Sequence, residues 1–213
     1  MSKTPQRDRS PDEMLLDVHR AMRRSSYVLS SGHAGEEYAD FDGYYLGGQG
    51  DYDFDPGLRR LRLSELVEKI VPQLVEVAQE CAVSRLAFPE KRDDGPVGTL
   101  AMMDLIVYHS GLEGCIVRPD RRLHIAQVKG RPIVLGERVL IVSDVATYGG
   151  TIARPAACLR QLGAVVPAAF VLLDRCQGAK AQLAAEDIVL YSYWDLSSRD
   201  KALAPQVSEI VAP

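Results

Sequence analysis

Residues Arg138 to Ile152 read RVLIVSDVATYGGTI, and this stretch constrains the fold more than any other part of the chain. The apolar run Val139–Val142 predicts a buried strand. It meets an acidic residue, Asp144, and then a turn of small and hydroxyl residues, Thr147-Tyr148-Gly149-Gly150-Thr151. From Ala153 to Leu162 the pattern becomes helical. Strand, glycine-bearing turn and helix N-terminus in that order make an anion site. The glycines let the backbone approach, the first N–H groups point outward, and the helix dipole favours negative charge. A carboxylate at the strand end suits sugar hydroxyls better than phosphate, so the two together point to a ribose 5-phosphate. The same pieces also occur in ordinary strand-to-helix turns, and neither the Walker A nor the dinucleotide-binding pattern is present.

The remaining chain repeats this alternation. Leu66, Ile70, Leu74 and Val77 predict a helix over Leu63–Ala82, with Ser64 as its N-cap. A strand at Arg85–Phe88, a charged loop at Pro89–Pro96, a buried helix at Val97–Ser110 and a strand at Gly114–Val117 follow. Asp120–Val134 lacks a clear period and reads as a flexible hairpin. Beyond the central strand and helix come strand Pro167–Leu173, helix Ala179–Ala184 and strand Ile188–Tyr193. This order predicts an α/β fold, a central parallel sheet flanked by helices. At the other end, Met1–Pro11 reads as a disordered tail. A short helix from Asp12 through Met22 is expected to stop at Ser25-Ser26, before a strand at Tyr27–Ser30 and a loop-and-hairpin region over Ser31–Gly57. Residues 12–213 are expected to form a single domain with a small N-terminal hood.

The net charge of −4 leaves no footprint for nucleic acid or an anionic membrane, although a local basic patch is compatible with it. The four cysteines are widely spaced and read as reduced thiols. His19, His33 and His109 lack carboxylate or cysteine neighbours at metal-ligand spacing, so no protein metal site is expected. With no leader and no apolar run of membrane-spanning length, the expected setting is cytoplasmic.

Three further loops carry chemistry and should converge on Asp144, because ligands of open α/β sheets sit beyond the carboxyl ends of the strands. VRPDRRLH, Val117–His124, holds three arginines and a histidine suited to a pyrophosphate, though a solvated charged hairpin has the same composition. FVLLDRCQG, Phe170–Gly178, ends a strand in Asp-Arg and would project Arg175 over the cleft; the plainer reading is a surface ion pair. PEKRDDGPVGT, Pro89–Thr99, could present N–H groups near Gly95 and Gly98, or serve only as a helix entry.

The central stretch resembles the ribosyl-pyrophosphate motif of type I phosphoribosyltransferases, in which two acidic residues precede a Thr/Gly-rich phosphate loop. Asp144 and Thr147–Thr151 match; Ser143 replaces the first acid, and Tyr148 stands where a smaller residue is usual. The loop Val117–His124 is similar to that of orotate phosphoribosyltransferases at Arg118, Arg122 and His124, with Pro119 in place of a lysine. Arg175 and the strand IVLYSYWDL match as well. So do Ser31-Gly32, Tyr38 and Asp40, whereas Ala34 replaces a lysine and Glu36 and Glu37 add carboxylates near an anion's pocket.

The resemblance spans Ser31–Leu196. It implies displacement at ribose C1 of 5-phosphoribosyl pyrophosphate (PRPP) by a nucleobase, orotate or a related base, with Mg2+ carried on the diphosphate and a homodimeric assembly. It assigns Asp144, Arg122 and His124 to catalysis. Arg118, Ser143, Ala146, Thr147, Tyr148, Gly149, Gly150, Thr151 and Arg175 are assigned to substrate binding. The departures at Ser143, Pro119 and Ala34 leave open a non-catalytic sensor of nucleotide or PRPP, or an enzyme for a different base.

Overall fold

The computed structural model describes residues 22–28, 34–39, 56–90, 98–119 and 126–196. Strands β1 (Met22–Val28) and β2 (Ala34–Ala39) pair antiparallel as a two-stranded sheet. The helix expected from Asp12 lies outside the described residues up to Ala21, and at Met22 the chain is already in a strand. Ser25-Ser26 does not end a helix: it forms an irregularity inside β1, where the register shifts between Arg24 and Tyr27. Serine is a poor helix-interior residue but is readily accommodated at a bulge.

Helix α1 runs Pro56–Glu80, eight residues earlier at its start than Ser64. Proline suits a first helical turn, since the N–H it lacks would have had no intrahelical partner. Ser64 is consequently not an N-cap; it lies inside the helix and its hydroxyl donates to Glu68 Oε1 at 3.4 Å. After α1 come β3 (Arg85–Pro89), α2 (Gly98–Ser110), β4 (Glu113–Pro119), β5 (Ala126–Lys129) and β6 (Arg138–Ala146). The chain continues through α3 (Gly150–Gln161), β7 (Val165–Asp174), α4 (Ala179–Ala184) and β8 (Val189–Asp195).

Six strands form the main sheet in the order β5-β4-β3-β6-β7-β8. Five are parallel, and β5 adds an antiparallel edge beside β4. The region expected as a hairpin contributes the returning strand, β5, which folds back antiparallel on β4. Pro167 lies within β7 where the register slips between Arg138 and Leu140 of its neighbour. A residue without an N–H is tolerated at such an irregularity.

Strand alternation builds two cores. Leu140 and Val142 pack with Leu66, Ile70 and Leu74 of α1 and with Met102 and Ile106 of α2. Val139 and Ile141 pack with Ile152, Ala156 and Leu159 of α3 and with Ala179 and Leu183 of α4. Helices on both faces explain why the central strand reads as an unbroken apolar run and not as an alternating one.

Candidate active site

The strand order reverses direction once. From β3 the chain crosses to β4 on one side, then returns to place β6, β7 and β8 on the other. The switch point therefore lies between β3 and β6, where open α/β sheets bind ligands. The pairing itself opens a crevice there. β3 and β6 are joined only from Arg85↔Val139 to Ala87↔Ile141. Beyond that, β3 continues against β4 to Pro89↔Val117, and β6 continues against β7 to Ala146↔Asp174.

The β6 wall carries Ser143 and Asp144, both buried. Asp144 Oδ1 accepts the N–H of Val145 at 2.8 Å and the hydroxyl of Ser143 at 3.3 Å. These bonds fix the carboxylate at the strand end. Ala146 closes the strand, and its carbonyl accepts the N–H of Arg175 at 2.9 Å, tying the end of β7 to the end of β6. Asp174 and Arg175 are both buried, so the strand-end Asp-Arg does not lie at the surface. Asp174 Oδ1 accepts the N–H of Cys176 at 2.9 Å, and its other oxygen lies 3.6 Å from Lys180 Nζ.

Thr147 and Tyr148, both half-buried, lead to Gly149, which caps α3 in the left-handed region at φ 84°. Its carbonyl accepts the N–H groups of Ile152 and Ala153. A Cβ here would lie 3.2 Å from Leu183 Cγ, so Gly149 is demanded by both backbone and packing. Gly150 differs: it begins the helix, and a Cβ on it would meet nothing within 4 Å. Its small size is not required by its neighbours. Helix geometry leaves the first N–H groups outside the intrahelical ladder, and Gly150 and Thr151 occupy that turn.

The β3–β4 wall carries Arg118 at the end of β4. Its Nε and Nη2 donate to the two oxygens of Glu90, the residue just beyond β3. The Glu90 N–H in turn donates to the Val117 carbonyl at 2.9 Å, holding the two strand ends together. Glu90 was legible only as one charge in a charged loop. Its significance arises from β3 and β4 being parallel neighbours, which sets it beside Arg118.

Of the expected site residues, Ser143, Asp144, Ala146, Thr147, Tyr148, Gly149, Gly150, Thr151 and Arg175 gather on the β6–β7 wall, and Arg118 lies on the other. Arg122 and His124 lie outside the described residues, as do Ser31, Gly32, Asp40 and Gly95. Among the described residues no group of three or more His, Cys, Asp or Glu could hold a metal ion, and no helix is long and apolar enough to cross a membrane.

No protein-family model matches the chain. Individual proteins do. The orotate phosphoribosyltransferase of Aeropyrum pernix is 31% identical over 180 residues, covering 84% of this chain and 85% of that one. The crystal structure of orotate phosphoribosyltransferase from Aeropyrum pernix superposes with a TM-score of 0.64 at 28% identity, covering 91% of this chain and 97% of the other. The fold is also that of Mycobacterium tuberculosis orotate phosphoribosyltransferase, solved in complex with PRPP, at a TM-score of 0.57 and 22% identity over 87% of this chain and 96% of that one. With the sheet order, the carboxylate at its switch point and these likenesses together, the chain belongs to the orotate phosphoribosyltransferase family of type I phosphoribosyltransferases.

Proposed function

We propose that this protein transfers the 5-phosphoribosyl group of PRPP to a nucleobase, orotate or a close relative, with release of pyrophosphate. The observation that carries this reading is a buried carboxylate, Asp144, placed one turn before an anion-receptive helix N-terminus at the switch point of the sheet. Sugar and phosphate recognition then follow one another along a single strand–loop–helix unit.

In this reading the 5-phosphate seats on the first turn of α3. The N–H groups of Gly149, Gly150 and Thr151 and the hydroxyls of Thr147, Tyr148 and Thr151 face its oxygens. Asp144 accepts from the ribose hydroxyls. As the C1–O bond to pyrophosphate breaks and positive charge develops at C1, its fixed negative charge stabilises that charge. The bond electrons leave with pyrophosphate while the base nitrogen forms the new bond to C1. Arg118, Arg122 and His124 neutralise or protonate the leaving group, and Arg175 helps orient the base. Ser143 contributes a hydrogen bond to Asp144 and no charge, a departure from the usual acidic pair.

The residues here fit Mg2+ brought in on the diphosphate and not one held in a protein cage; Asp144 would supply one oxygen and water would complete the shell. When bound, the ion would neutralise diphosphate charge. The assembly we propose is a homodimer, checked by sedimentation equilibrium.

The test is pyrophosphate release from PRPP and magnesium with orotate and then a panel of other bases. Release with orotate supports a pyrimidine enzyme, and release only with another base relocates the acceptor. Tight PRPP binding without release for any base would instead favour a regulatory protein that senses the ligand.

A further inference from the structure

The Glu90–Arg118 pair has a chemical consequence for any diphosphate that enters the crevice. Arg118 is half exposed and would be an ordinary surface cation at this position. It is instead engaged by both oxygens of one carboxylate, through Nε and Nη2. A guanidinium has five N–H donors in a fixed fork, and a bidentate carboxylate takes one whole edge of it. Glu90 is itself held by the backbone: its N–H is bonded to Val117, and Pro89 is in register with Val117. The Glu90 backbone is therefore fixed beside Arg118, and its carboxylate leaves the guanidinium only by side-chain rotation.

A diphosphate and a carboxylate compete for the same edge of an arginine, and they also repel each other. We propose that Glu90 is a charge latch on Arg118, which the diphosphate of the substrate or product must displace, so that this residue weakens pyrophosphate retention at the crevice. The latch rests on the phosphoribosyl-transfer reading above. It deepens that reading by naming a residue that limits product hold and favours release.

The experiment measures calorimetric binding of magnesium-free inorganic pyrophosphate, and separately of ribose 5-phosphate, to the wild type, Glu90→Gln, Glu90→Ala, Arg118→Gln and the Glu90→Gln/Arg118→Gln double variant. Exposed pairs of this kind are worth up to about fivefold in an equilibrium. Loss of the repulsion adds to this, so pyrophosphate should bind about fivefold more tightly to both Glu90 variants. Ribose 5-phosphate affinity should be unchanged, and the gain should vanish in the Arg118→Gln background.

Unchanged or weaker pyrophosphate binding by the Glu90 variants would overturn the latch, the weaker case making Glu90 a support for Arg118. A gain that persists without Arg118 would also overturn it, because the effect would then be general repulsion. If the wild type binds neither probe, the functional reading fails and the latch with it. If ribose 5-phosphate binds normally while the Glu90 variants are without effect, only the latch fails.

Discussion

Two adjacent glycines make opposite predictions, and Gly150→Ala is the more decisive. Gly149 sits at φ 84° with Leu183 Cγ only 3.2 Å from where a Cβ would be. Gly150 is the first residue of α3, and its Cβ would enter open space. In a helical conformation glycine costs up to about 1 kcal/mol relative to alanine, much of it unfolded-chain entropy. Gly150→Ala should accordingly stabilise the ligand-free protein by about 0.5 kcal/mol, a rise of about 1–2 °C in Tm for a domain of this size. The same methyl group should obstruct the anion. A phosphate oxygen sits about 2.9 Å from a donating N–H, so displacement by a methyl group lengthens or breaks at least one charge-assisted bond worth about 1.5–3 kcal/mol. Ribose 5-phosphate affinity should fall at least about tenfold. Calorimetric titration and thermal unfolding on the same samples read the two effects together. A more stable variant with undiminished ribose 5-phosphate affinity would refute the placement of the phosphate on this turn.

The neighbouring substitution Gly149→Ala should instead lower stability by at least about 1–2 kcal/mol in denaturant unfolding, from the left-handed backbone alone. Asp144→Asn should keep the fold while cutting kcat/KM for PRPP by on the order of 100-fold, as removal of a fixed transition-state charge does; unchanged turnover would remove the ribose assignment. Leu74→Ala, at a fully buried position of α1, should cost about 2–5 kcal/mol by the same unfolding assay. At the amino edge of the sheet, burial by itself would push the Glu137 carboxyl up. The Val134 N–H and the Arg131 and Arg85 guanidiniums outweigh it and hold the carboxyl below its ordinary value of 4.5. The unfolded chain therefore binds that proton first. The contribution of Glu137 to stability should be complete above about pH 4.5 and lost as pH falls through the lower folded value. Urea midpoints measured across that window should slope less steeply in Glu137→Gln. That variant should also be destabilised by about 1.5–3 kcal/mol at neutral pH, because buried Arg85 loses the carboxylate 3.1 Å away while keeping Glu113 and the Arg131 and Pro132 carbonyls.

The alternation of strands and helices and the loop from Asp144 to Thr151 were legible in the sequence, because both depend on local order. An apolar run of four residues must be covered on both faces, and a glycine pair before a helical pattern must turn the chain. The start of α1 was misread for a local reason too. Ser64 looks like a cap, but Pro56 opens the helix, and the residues between them carry no signal strong enough to choose. Asp120–Val134, without a period of its own, was legible only as a hairpin; the bounds of β5 come from its antiparallel pairing with β4.

What the tertiary structure alone decided is which residues meet. Asp144 and Arg118 are distant in the chain, and they come to the same end of the sheet only because β3 stands between β4 and β6 and parts from β6 after Ala87↔Ile141. Arg175 is buried and not at the surface, with its N–H tied to the end of β6 at Ala146. Glu90 became more than a loop charge only when a parallel register set it against Arg118. Periodicity and turn chemistry act over a few residues, so a sequence can state them directly. Strand order and register are long-range pairings selected by the packing of the whole sheet.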